Sequence, residues 1–217
     1  MAVVWPSKNN FANGDVLTAA NMNNIADTLN VYNPTSATNG QVPIANGSGS
    51  VAFGTLSVNA YQVISSGTLS TATGTLTLSS IPGTYKDLIL YVRNFYPATS
   101  GANARIQFNN NSGTVYWANG LYASGSIDGG SKTGQVNVQS SAASNTQEGH
   151  IVVWVYDYAQ ATPTNAMSCA TYRTSVGGNQ QDFRFFGMIS DTAITRMDFT
   201  VNTGNFGAGD YVLYGVN

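Results

Sequence analysis

The sequence predicts a mainly β protein: an N-terminal extended arm carrying one short helix, then an antiparallel β-sandwich of jelly-roll type. Three observations lead there. Between residues 60 and 217, short apolar runs follow one another with Gly, Asn, Ser and Asp between them. There are about ten, and a jelly roll is the commonest way to arrange that many strands. No helical period of useful length interrupts them. Before residue 60 the pattern changes to a single helix signal followed by a glycine-rich extended stretch.

In the first segment, residues 1–59, "GDVLTAANMNNIADTLN" offers Thr18 as an N-cap, with Met22, Ile25, Ala26 and Leu29 following at helical spacing. The spacing predicts a helix over about 18–30, too short to be stable without something to pack on. Residues 40–58 contain "NGQVPIANGSGSVAFGTL", where Val42 alternates with Ile44, and Val51 with Phe53, about a turn at Asn46-Gly47 and Ser48-Gly49. Leu56 and Val58 continue the alternation. A hairpin alone is barely stable in water, so its apolar side chains are expected to lie on another surface.

In the second segment, residues 60–217, the predicted strands are "YQVIS", "GTLTLSS", "KDLILYVRNF", "ARIQFNN", "TVYWAN", "GQVNVQS", "HIVVWVYDY", "AMSCATYRTS", "DFRFFGMIS", "ITRMDFTVN" and "DYVLYGVN". "IVVWVY" is apolar on both faces and reads as a central strand. In "ITRMDFTVN", Ile194, Arg196, Asp198 and Thr200 fall on one face and Met197, Phe199 and Val201 on the other. "SIDGGS" and "GAGDY" read as loops.

Hydrophobic residues make up 42% of the chain and charged ones 8%, against roughly 25% in an average soluble domain. Asn, Ser, Thr and Gly carry the solubility, a surface suited to close-packed assemblies in which like charges would oppose one another. The net charge is −2 and the eight basic residues are scattered singly, which offers no phosphate-neutralising patch and argues against nucleic acid as a partner. The opening "MAVVWPSKNNFANGD" lacks a basic region followed by an apolar one. No run approaches the length of a membrane span, so neither a signal peptide nor membrane insertion is expected.

Catalytic chemistry finds little support. His150 is the only histidine, which removes a multi-histidine metal centre, and no nucleophile-elbow pattern surrounds a serine. Cys169 sits among small residues on a predicted strand and reads as a small hydrophobe. The acids Asp128, Glu148, Asp157, Asp182, Asp191, Asp198 and Asp210 show no spacing that singles out a glycosidase pair, and "DGGS" lacks the repeated ligands of a calcium loop. Asp198 and Arg196 are expected to pair weakly along an exposed face. No cofactor or metal is expected. The aromatic residues, 12 Tyr, 9 Phe and 3 Trp, serve cores, subunit contacts and sugar platforms alike. "TVYWANGLYASG" places Tyr116, Trp117 and Tyr122 about an expected loop, as a candidate glycan-stacking group.

Three stretches resemble tailed-bacteriophage virion proteins. "GDVLTAANMNNI" is similar to an opening in which an "LTA" run introduces a short helix, and "NGQVPIANGSGSVAFGTL" to the segment before the trimeric shaft or head of phage fibres. "SSIPGTYKDLILYVR" followed by "IQFNN" resembles the first strands of a β-sandwich found in phage fibres, adhesins and head-decoration proteins. No coiled-coil heptads or shaft repeats lie between the arm and the sandwich, unlike a long tail fibre.

The resemblance implies a non-enzymatic virion protein made in the host bacterial cytoplasm. It would be a short fibre or decoration protein whose partners are itself, as a homotrimer, and capsid, portal, neck or tail proteins. Val3, Val4, Trp5, Phe11, Met22, Ile25, Leu29, Val42, Ile44, Val51 and Phe53 would form the attachment arm, and Leu56 and Val58 would meet about the threefold axis. A second reading is the receptor-binding tip of a tail fibre, with Tyr116, Trp117 and Tyr122 stacking on host surface glycan. A third, a glycan-cleaving enzyme, needs a carboxylate pair that the sequence does not reveal.

Overall fold

A computed structural model describes residues 41–45, 51–55, 60–122, 127–139 and 143–217. The chain divides into two compact units, Met1–Val58 and Asn59–Asn217. The predicted helix over 18–30, the arm residues Val3, Val4, Trp5, Phe11, Met22, Ile25 and Leu29, and the contact residues Leu56 and Val58 lie outside the described residues.

In the first unit, β1 (Gln41–Ala45) pairs antiparallel with β2 (Val51–Thr55). The register sets Val42 opposite Gly54 and Ile44 opposite Ala52, while Pro43 faces Phe53 and Ala45 faces Val51. Val42 and Ile44 therefore occupy one face of the ribbon, and Val51 and Phe53 occupy positions on the other. The two apolar pairs of the sequence do not share a face. Gly54 leaves room for Ile44, since a Cβ there would stand 2.9 Å from the Ile44 Cδ1.

The second unit contains β3 (Tyr61–Thr68), β4 (Thr75–Leu78), β5 (Asp87–Pro97), β6 (Ala104–Phe108), β7 (Tyr116–Tyr122) and β8 (Ile127–Lys132). It continues through β9 (Val136–Asn137), β10 (Gly149–Tyr156), β11 (Thr164–Arg173), β12 (Asn179–Met188), β13 (Met197–Val201) and β14 (Phe206–Val216). An eight-stranded sheet has the order β3-β14-β5-β10-β11-β12-β7-β8, and a four-stranded sheet the order β4-β13-β6-β9. Every pairing is antiparallel. The protein is all-β in its described regular elements, and its two sheets form a sandwich.

Alternation builds the core. Leu88, Leu90 and Val92 of β5, Ile151, Val153 and Val155 of β10, and Leu213 of β14 point inward from the large sheet. Ile106, Phe108, Met197 and Phe199 meet them from the small one. Phe95, Phe199 and Phe206 close the contact between sheets, with ring centroids 5.3, 5.7 and 6.1 Å apart. At Asn94 (φ 52°) a bulge sets two residues of β5 against one of β10, which restores Phe95 to the inward side after Val92. The doubly apolar "IVVWVY" becomes β10, fourth in the eight-stranded order.

Three local expectations are corrected. Of the two expected loops, residues 127–131 of "SIDGGS" and all of "GAGDY" belong instead to β8 and β14, because an edge strand tolerates small polar residues and Gly209, at φ 140°, supports a bulge; Ser126 lies outside the described residues. Tyr116, Trp117 and Tyr122 lie along strand β7 rather than about a loop. Asp198 is 2% exposed, not on an open face. Arg196 grips it from Nε, 2.9 Å from Oδ2, and from Nη2, 2.9 Å from Oδ1, while the Thr77 hydroxyl donates to Oδ1 at 2.6 Å.

Candidate functional site

The outer face of the eight-stranded sheet carries the most distinctive surface. Hydrogen-bond register aligns one row of residues across seven strands: Val63, Tyr214, Ile89, Trp154, Met167, Phe185 and Asn119. A second row runs beside it through Ser66, Val212, Tyr91, Val152, Cys169, Phe183 and Leu121. Neither row contains a charge. The bulge in β3 makes this alignment, since it turns Ile64 toward the core and leaves Val63 and Ser66 on the outer side.

Charged and polar residues flank the rows. Asp210 stands between Thr68 and Arg93 on neighbouring strands, and His150 lies opposite Thr171, which faces Gln181. Beyond the other side, the Asp157 amide donates to Asp87. Within the rows, Phe185 is 60% exposed, Val63 and Leu121 each 54%, and Phe183 43%. Trp154 stacks on Tyr156 at 6.1 Å, and the Tyr156 hydroxyl donates to the Met167 Sδ. At the β3 end, Tyr61 and Tyr91 set their rings edge-on to Tyr214, 6.3 and 5.9 Å away. With Arg93 and Val212 they wall a recess of about 470 Å³.

A second, polar recess of about 390 Å³ is lined by Arg105, Lys132 and Arg184 with the amides of Gln107, Gln135 and Asn137. Arg105 donates from Nε to Asn137 Oδ1 at 2.9 Å, and burial lowers its pKa. Arg184 is 2% exposed and reaches inward beside Gly120, where a Cβ would stand 3.3 Å from its Nη1. Asp182, fully buried, lies 3.8 Å from Arg184 and accepts from the Tyr172 hydroxyl at 3.1 Å. Part of the positive charge in this recess is therefore answered from within the protein.

The candidate glycan-stacking group is not assembled as the sequence suggested. Tyr116 has 0% exposure, and its hydroxyl is tied to the Phe108 backbone, so its ring offers no face to a sugar. Strand alternation sends Trp117 to the outer face, where it is half-buried. The side chain of Tyr122 lies outside the described residues.

His150 is exposed at the start of β10, and Cys169 is half-buried within the second uncharged row, where burial pushes its thiol up. Among the described residues, no three His, Cys, Asp or Glu side chains gather as metal ligands, and no helix is long and apolar enough to cross a membrane. Sequence reasoning missed the two rows and the Arg184–Asp182 pair. The signal for the rows was present in "YVLYG", "LILYV", "VVWVY" and "FRFF", each of which is apolar on the face that the core does not need.

No protein-family model matches the chain, and no curated protein matches it in sequence.

Proposed function

We propose that the chain is a non-enzymatic structural protein of a tailed-bacteriophage virion: a short trimeric fibre or decoration protein anchored to capsid, neck or tail by its N-terminal arm. The observation that carries this reading is the pair of uncharged rows across the outer face of the large sheet. Ile89 in the rows is buried, but Val63, Leu121, Phe183 and Phe185 stand open on the same face, and large apolar side chains gathered on one surface suit a protein that works in an assembly.

The strand order adds to it. The series β3-β14-β5-β10 opposite β4-β13-β6-β9, with β11, β12, β7 and β8 extending the larger sheet, supports a jelly-roll reading of the sandwich. Double-sheet jelly rolls serve repeatedly in viral shells and lectins. The likeness of "GDVLTAANMNNI" and "NGQVPIANGSGSVAFGTL" to phage virion segments supports placing the anchor in residues 1–58.

Immunogold labelling of intact particles with antibodies to residues 60–217 tests the reading. Label on the capsid, neck or tail is expected, and particles without label would overturn it. A protein lacking residues 1–58 is expected to fail to incorporate, and normal incorporation would remove the arm from the proposal.

A second reading, a glycan-binding tip, draws on the recess walled by Tyr61, Tyr91 and Tyr214, whose rings have the polar-tipped apolar character that sugar faces favour. It moves the site from the Tyr116 strand to the other end of the sheet. Binding on a glycan array, lost in Tyr91→Ala, is its expected sign.

A further inference from the structure

We infer that the two uncharged rows are the contact between copies of this chain, with Phe183 and Phe185 of one copy entering the tyrosine-walled recess of the next. The inference deepens the assembly reading and rests on it for copies being together.

Shape provides the first argument. The recess lies at the β3-β14-β5 end of the sheet, and Phe183 and Phe185 stand on β12, beyond β10 and β11. One face thus presents a receiving end and a projecting end. Phe185 is the most exposed aromatic side chain among the described residues, and a recess of about 470 Å³ has room for a benzyl group. Arg93, in its wall, offers a cation to the face of an incoming ring. When one copy's projection enters the next copy's recess without the reverse, the contact is heterologous, and when the rotation closes it generates a ring.

Charge provides the second. The fourteen positions in the two rows include no Asp, Glu, Lys, Arg or His, so identical faces can meet without a like-charge pair in their centre. The flanking residues Asp210, Arg93, His150 and Gln181 supply the polar rim expected around a desolvated centre.

Area provides the third. Seven strands at about 4.8 Å spacing give a face about 34 Å wide, and the rows with their rims are about 20 Å high. The product is about 700 Å² per copy, close to the roughly 800 Å² per partner of a standard stable interface.

The test is the mass of the full-length protein in solution, by light scattering on a sizing column across a dilution series. Wild type is expected to run as a multiple of its 22.8 kDa chain mass. Phe185→Lys is expected to weaken association by on the order of a hundredfold, because the ammonium would be buried without a partner and beside the Arg93 guanidinium. Val176→Glu, at a site 92% exposed and off the rows, should leave the mass unchanged.

Phe185 is open enough for the variant to keep its fold, checked by circular dichroism. If it does not fold, Asn119→Arg places a charge at another exposed position of the same row. A wild-type oligomer indifferent to charge in the rows would overturn this face as the contact while leaving oligomerisation standing. A wild-type monomer at every concentration would overturn the inference and the trimer together, and would give the face to another occupant.

Discussion

The Tyr116 hydroxyl lies 3.0 Å from both the amide nitrogen and the carbonyl oxygen of Phe108, accepting from one and donating to the other. This joins β7 of the large sheet to the end of β6 in the small one. The described pairing of β9 with β6 covers only Arg105 and Ile106, so the backbone at Phe108 is completed by a side chain instead. Tyr116→Phe keeps the buried ring and strands the amide. It is expected to cost about 1–3 kcal/mol, read as a lower urea midpoint with unchanged slope. An unchanged midpoint would mean that the amide finds another partner.

Alkaline pH should act through the same residue. Burial raises the pKa of Tyr116 above its usual value, although its bond to Phe108 works the other way, and burial also raises Tyr158, whose hydroxyl donates to the Pro82 carbonyl. In the unfolded chain these phenols lose their protons near pH 10, before the folded protein does. Their contribution to stability is therefore complete below about pH 10 and is lost as pH rises through the folded values. Urea midpoints should fall over that alkaline range, and Tyr116→Phe should show a shallower fall. Parallel curves for the two proteins would count against the assignment.

The Phe95, Phe199 and Phe206 rings are expected to hold the sheets together. Phe199→Ala removes a fully buried ring that touches both others and should cost about 3–5 kcal/mol. Phe185→Ala, by contrast, removes a ring that is 60% exposed in the monomer and should change monomer stability little. Calorimetry on the two variants under dissociating conditions separates a core role from an interface role.

Cys169 reports on the outer face. Its thiol is pushed up by burial, so at mildly alkaline pH it should react with a disulfide reagent more slowly than a small free thiol. Reaction should quicken in Phe185→Lys, where the rows are uncovered, and become fastest in urea. Equal rates in wild type and Phe185→Lys would indicate that nothing covers Cys169 in solution.

Most strands were legible because their signals are local. "LILYV" and "HIVVWVY" need only their own alternation to be assigned, and β5 and β10 lie where those runs predict. β8 was not legible: "IDGGSK" has turn composition, and its strand state comes from pairing with β7. Asp198 was misplaced for a similar reason. Alternation put it opposite Met197 and Phe199, but only the packed structure supplies Arg196 and Thr77 as the partners that make its burial tolerable. Tyr116 and Trp117 were read as one aromatic group, although adjacent residues of a strand point to opposite faces.

By itself the sequence determined that residues 60–217 are a succession of short strands without a long helix, and that their surface is poor in charge. These properties follow from residue types and from a two-residue period. The tertiary structure decided which strands became neighbours, and with that which residues share a surface. Leu213 meets Leu90 and Tyr214 meets Val63 across more than a hundred residues of chain, and no local pattern encodes those registers. The uncharged rows exist only as the product of those registers, because each strand contributes two side chains and the sheet's hydrogen bonds set them in line.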